Sequence, residues 1–260
     1  MIFDTFRRRK NIRILLNGEA SFELRLKAAF ALGDQPATRE AIDALARVAN
    51  NPNEDLTLRQ NAISRLAGLS EPDSLRVLLR LIATGAEPGT WIFIEAMQGL
   101  RWNSITLNRI ANEAVASFLK VGKEAIKRDS PSLLGEARGL IEKLECPTAH
   151  SALQELDYLL QVHRTANLAK QKRVALDSSD FDKAAFAVAE IAGLGTKEAE
   201  VALKEIRSQP ARELEQGYEI DKEDVEAGYS PKWVTEIKSS SELGEALSGL
   251  ERERWEAARP

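Results

Sequence analysis

A large apolar residue, a small one and another large one recur at i, i+4 and i+8 in three places: Leu24, Ala28 and Leu32; Leu58, Ala62 and Leu66; Ile92, Ala96 and Leu100. The interval between successive sets is 34 residues. Such spacing draws one stripe along a helix, and the central alanine lets a neighbouring helix approach closely. After each set comes a polar break rich in turn formers: GDQPAT at 33–38, SEPDS at 70–74 and RWNS at 101–104. A second apolar stripe follows each break: Ile42, Leu45 and Val48, then Leu75, Leu78 and Leu81, then Ile110, Val115 and Phe118. Longer breaks, NNPNED at 50–55 and TGAEPG at 84–89, close the first two units. The predicted unit is therefore helix, short turn, helix, longer turn.

Two looser pairs continue the pattern. LLGEARGLIEKL (133–144) with PTAHSALQELDYLL (147–160) is the fourth, reached after an insertion containing KEAIKRDS, and FDKAAFAVAEIAGLG (181–195) with TKEAEVALKEI (196–206) is the fifth. The echo of KAAFAL (27–32) in KAAFAV (183–188) falls in the first helix of a pair both times. Helix pairs at this interval mark an α-solenoid, an all-α fold in which each unit buries its apolar face against the next. The arginine after the first stripe residue (Arg25, Arg59), the alanine four positions after that stripe residue and the turn GLGTKEA at 193–199 resemble HEAT repeats, in particular the short HEAT-like repeats of phycobilisome lyases. The resemblance runs over about residues 20–207; the third unit lacks the arginine, and the fourth and fifth are irregular in spacing. A tetratricopeptide array has the same period, but its Trp, Leu-Gly and Tyr pattern is missing from these first helices.

The last part of the chain reads differently. ELEQGYEIDKEDVE (213–226) holds seven acids against Lys222 alone. With no apolar stripe to offset the ordering entropy, it is expected to be a loop or arm. SPKWVTEI and SELGEALSGLERERWEAA are expected as a short and a longer helix on Trp233, Ile237, Leu243, Leu247 and Leu250, capping the last repeat. The expected organisation is a solenoid with an N-terminal cap over 1–207, an acidic loop or arm over 208–230 and a C-terminal helical cap over 231–260.

Composition sharpens this picture at a few points. Hydrophobic residues make up 43% of the 260, enough for a core, and aromatics only 6%. Net charge is +1 over residues 1–200 and −5 over 201–260. No basic stripe suited to a phosphate backbone is present, so nucleic acid is not an expected partner. The basic block Arg7-Arg8-Arg9-Lys10 is followed by only Ile14-Leu15-Leu16, which fits neither a signal peptide nor a membrane span. The N-terminus is read as an ordinary cap, with a membrane-surface helix on Ile2, Phe3 and Phe6 as the lesser reading. One cysteine, Cys146, excludes an internal disulfide and fits a reducing, cytoplasmic setting.

Chemistry is sparse. Cys146 and His150 lack a third metal ligand or an orienting partner, so neither a metal site nor a nucleophilic pair is expected, and no glycine-rich loop suggests a cofactor. Paired acids such as Glu198 and Glu200 lie on a solvated helix face. What remains is surface. The HEAT resemblance implies that second helices line the concave face, which makes Arg76, Arg80, Arg109 and Tyr158 candidate partner-binding residues, with Trp102 in the third inner turn. Arg, Trp and Tyr carry much interface energy elsewhere. Tyr218 joins the set if the acidic stretch reaches a basic partner. The expected function is a non-enzymatic protein-binding module of scaffold, regulator or inhibitor type. A bilin-lyase-like chromophore binder is the alternative that the resemblance implies. A glycosylase-like groove using Trp91 and Trp102 is weaker, because the charge balance is wrong for DNA.

Overall fold

The computed structural model describes residues 2–219 and 233–258, with side chains over 4–84, 86–216 and 237–258. It forms two compact units, Met1–Leu160 and Gln161–Pro260.

The first unit opens with α1 (Ile2–Leu16) and continues as helix pairs: α2 (Phe22–Gly33) with α3 (Arg39–Asn50), α4 (Leu56–Leu69) with α5 (Pro72–Arg80), and α6 (Trp91–Trp102) with α8 (Ala111–Lys127). A short α7 (Ser104–Leu107) and a 3-10 turn (Asn108–Ile110) link the third pair. The helices α9 (Pro131–Glu142) and α10 (Pro147–Asp177) form the fourth pair; α10 gives its first part to this unit and the rest to the second. First helices stack on first helices, α2 on α4 on α6, and second helices on second helices, α3 on α5 on α8. This is solenoid packing.

Local chemistry sets the helix starts. Ser21, Thr38, Asp55 and Thr90 each accept the N–H three residues on, at Leu24, Ala41, Leu58 and Phe93, which satisfies one orphan donor per helix. Pro72 and Pro131 occupy first turns, where a missing N–H costs little. The repeated arginines close the helix ends. Arg25 Nε donates to the Leu15 carbonyl at 3.0 Å, and Arg59 Nε donates to the Ala49 carbonyl at 3.2 Å. Each guanidinium thus caps the last turn of the helix before its own, where carbonyls lack partners and the helix dipole favours a cation.

Ala28, Ala62 and Ala96 are all buried, as are the large residues Leu32, Leu58, Leu66 and Leu100 of their stripes. Gly99 leaves no room for a side chain because the Ala67 methyl lies against it. The buried Asn103 amide ties the same junction, donating to the Ala67 and Gly99 carbonyls at 3.0 and 2.7 Å. Replacing Ala62 with Leu should overpack the α2/α4/α6 contact and cost about 1 to 3 kcal/mol. Thermal denaturation checks this, and an unchanged melt would contradict the register.

In three places the first unit departs from the sequence-based expectation. Leu24, the first residue of the first stripe, is 52% exposed, because the start of α2 lies at the edge of the array. KEAIKRDS is no insertion: α8 runs on through Lys127, with Val121, Ala125 and Ile126 extending its buried stripe. The fourth pair's second helix does not stop at Leu160 but continues to Asp177.

The second unit combines the end of α10 with α11 (Phe181–Leu194), α12 (Lys197–Arg207), strands β1 (Glu213–Glu219) and β2 (Trp233–Ser239), a 3-10 segment (Ser240–Ala246) and α13 (Gly249–Ala257). Asp180 and Thr196 cap α11 and α12, and Gly195 ends α11 at φ +60, a conformation suited to glycine. The expected acidic loop and short helix are corrected here. Their described parts pair as an antiparallel ribbon with Leu214 opposite Lys238 and Glu219 opposite Trp233. The physical reason is an alternation that the acids obscure: Leu214 points inward and is buried between Glu213 and Glu215, while Trp233-Val-Thr-Glu-Ile has strand-forming residue types. Residues 220–226 of the acidic stretch, with Ile220 and Val225, lie outside the described residues.

The expected C-terminal helix is also divided. Leu243 and Leu247 are buried, but Ile237 and Leu250 are exposed, and the main anchor is Trp255, buried on α13 against α11. Arginines again cap helix ends: Arg212 donates to the Ala175 carbonyl at 2.6 Å, and Arg254 to the Gly193 carbonyl at 3.1 Å.

Candidate functional site

The second helices of the first unit present one face built from α3, α5, α8 and the first part of α10. Ion pairs run between neighbours along it. Arg76 on α5 sits between Asp73, at 2.7 Å, and Glu113 of α8, at 2.9 Å. Glu113 accepts from both Nε and Nη2 of Arg76, a two-point grip that raises the arginine's pKa further above its ordinary value and holds the Glu113 carboxyl below its own. Lys123 of α8 pairs with Glu155 of α10, and Arg138 of α9 with Asp157 of α10. Thr148 donates to Asn112 at 2.8 Å. Each exposed pair is worth under about 1 kcal/mol, so the lattice mainly fixes side-chain positions.

Other cations on the face are not consumed in this way. Arg47 on α3, Arg80 on α5, Arg109 in the turn before α8 and Lys120 on α8 are exposed and have no ion-pair partner among the described residues. Tyr158 stands out on α10, 68% exposed. At the inner turn of the third pair, Trp102 is 73% exposed and Ile105 is 87% exposed, two large apolar groups three residues apart.

Of the residues singled out from the sequence, Arg80, Arg109, Tyr158 and Trp102 are thus accessible in the first unit. Arg76 is accessible only in part, and its charge is engaged as a strut between α5 and α8. Tyr218 lies in β1, in the second unit, opposite Val234, and its side chain is outside the described residues. Sequence reasoning passed over Arg47, Lys120, Ile105 and Glu113. Arg47 stands 33 residues before Arg80, at the same place in its helix, a signal that was available. Ile105 was legible only as an apolar residue in a polar turn.

Cys146 contacts the Thr148 hydroxyl at 3.3 Å, and His150 lies 3.0 Å from the Gln154 amide. No cluster of His, Cys, Asp and Glu able to hold a metal occurs among the described residues, and no described helix is long and apolar enough to cross a membrane.

A family model described as HEAT repeats matches residues 10–98. That stretch is similar to HEAT repeats in sequence, and its helices stack pair on pair. The match takes in α2 to α5 and most of α6, the part where the 34-residue rhythm is regular and the capping arginines Arg25 and Arg59 occur. The later pairs keep the helix-pair plan with altered spacing. Among solved structures, the complex of CpcE and CpcF of phycocyanin lyase from Nostoc sp. PCC7120 is similar, with 18% sequence identity, covering 76% of this chain and 80% of that chain at a TM-score of 0.31. None of the curated proteins compared with the chain matches it.

Proposed function

We propose that this chain is a non-enzymatic protein-binding module whose partner docks on the face of the second helices of the HEAT array and its continuation. The observation that carries the reading is the division of labour on that face: Arg76 and Lys123 are held in pairs between helices, while Arg47, Arg80, Arg109 and Lys120 stay exposed without ion-pair partners among the described residues beside exposed Tyr158. Cations left free in a fixed frame suit a partner with an acidic or mixed-charge surface, and they speed encounter and select against wrong partners. Trp102 and Ile105 at the adjoining turn are suited to serve as apolar anchors. The free cysteine fits a reducing, cytoplasmic setting.

The partner would be recovered by cross-linking and co-purification, and its affinity then measured against Arg80→Glu with Arg109→Glu. A loss of about ten-fold or more is expected, together with a shallower salt dependence. Unchanged affinity would move the interface elsewhere. A bilin is titrated in parallel: an induced red shift of its absorbance would replace this reading with chromophore binding.

A further inference from the structure

The repeat carries a defect at the third pair. Arg25 and Arg59 each lie ten residues after the carbonyl they cap, those of Leu15 and Ala49. The equivalent position in α6 is Phe93, a buried side chain with nothing to donate, and the carbonyl ten residues before it belongs to Ala83. There the preceding helix ends differently. After α5 the chain widens into a π-helical turn (Leu81–Gly85), closed by the Ala86 N–H on the Leu81 carbonyl at 2.8 Å, with the Thr84 hydroxyl donating to the Arg80 carbonyl at 2.9 Å. Such turns are frequent at functional sites.

Two cavities open at this point. One, of about 430 Å³, lies between the π turn and α8, with Ile82, Ala83, Ala86 and Val121 as apolar floor. The other, of about 330 Å³, lies between α6 and α9 over Phe93, Ile94, Met97 and Leu133. Pro88 and Arg128 belong to the walls of both, so the two form one groove around the edge of the array. Lys120, Lys123 and Lys127 stand at i, i+3 and i+7 on α8 and make one stripe along the first cavity. Arg128 is shared between Glu124, at 2.9 Å, and Glu87, at 3.5 Å, and Lys127 reaches Glu124 only at 3.8 Å. Lys123 is held by Glu155 and, in the second cavity, Arg101 by Glu136, whereas Lys120 has no ion-pair partner among the described residues. At the far end, Ser130 starts α9 without a side-chain cap, and Ser132 and Leu133 of its first turn line the second cavity, which adds N–H groups and the positive end of a helix.

We propose that this groove, at the junction of the third and fourth helix pairs, docks an acidic peptide segment of a protein partner that also carries a large apolar side chain. The apolar floor accepts the side chain, and Lys120, with the loosely held Lys127 one face along, accepts the carboxylates. The inference rests on the protein-binding reading and adds a second contact, which starts at the π turn and runs along α6 as far as Arg101.

The test pans a random-peptide phage library on the full chain and measures the enriched peptides, made synthetically, by fluorescence anisotropy. Enrichment of Asp and Glu with at least one large apolar residue is expected. Lys120→Glu with Lys127→Glu should weaken those peptides about ten-fold or more, and Thr84→Trp, which fills the first cavity, should do the same. Arg80→Glu with Arg109→Glu should leave them bound. If the double charge reversal lowers helicity, Lys120→Ser with Lys127→Ser takes its place. No enrichment, peptides without acids, or equal binding to both groove variants overturns the groove. The native partner separates the two ideas: partner binding that needs Arg80 and Arg109 while peptides ignore the groove removes this inference alone, and partner binding indifferent to Arg80 and Arg109 removes the face reading alone.

Discussion

Replacing Arg25 with Met should lower the stability of the first unit by about 2 to 4 kcal/mol, the loss of a part-buried charged hydrogen bond together with a helix cap. Besides capping α1, Arg25 grips Glu54 through both terminal nitrogens, and the two side chains are only 11% and 14% exposed. Met would leave a carboxylate largely out of water without its partner and the Leu15 carbonyl without its donor. The pair also carries a pH dependence. The hydrogen bond from Arg25 holds the Glu54 carboxyl below its usual range, although burial pushes it the other way. A depressed folded value means that the stabilisation is present above the ordinary carboxyl pKa of about 4.3 and is lost as pH falls through the folded value. Melts of the wild type and Arg25→Met should therefore differ most at neutral pH and less in acid, where only the lost cap on Leu15 separates them. Equal melting points at neutral pH would show that the arginine is no part of the repeat's frame.

Trp255→Ala should cost the second unit about 3 to 5 kcal/mol, as large-to-small changes at buried aromatic sites do. The indole is buried against α11, it fills the space that a side chain at Gly244 would need, and the Arg207 guanidinium lies 4.7 Å from the ring centre. Arg207 also donates to the Trp255 carbonyl, so the substitution removes packing and a cation–π contact while leaving that hydrogen bond available. Hydrogen exchange at Val188 and Leu203 would register the loss. Protection equal to the wild type would mean that α13 is not what seals this core.

The repeat was legible because its signals reinforce one another: a stripe spacing, an alanine where helices touch, and a polar break with turn formers after each stripe. The role of Arg25 and Arg59 was not legible, since a hydrogen bond to a carbonyl ten residues back depends on how successive helices stack. The strand around Leu214 was hidden because counting charges over 213–226 averages away a period of two, and WVTEI at 233–237 was read as a short helix although its residue types favour a strand. Of the candidate face, Arg109 falls in the 3-10 turn before α8, while residue types and helix assignment were readable for Arg80 and Tyr158. The engagement of Arg76 was not, because Glu113 lies 37 residues away and meets it only through the packing of α5 on α8. The groove was invisible for a related reason: Phe93 looks like ordinary core until the missing cap on the previous helix is seen.

Amide hydrogen exchange on the complex with the recovered partner tests the central claim most directly. The proposed docking face predicts added protection in α5, in α8 from its start to Lys120, and in α10 around Tyr158, with the exposed ends of α2 and α4 exchanging as in the free protein. Protection confined to the first helices α2, α4 and α6, or to the ribbon of β1 and β2, would contradict it.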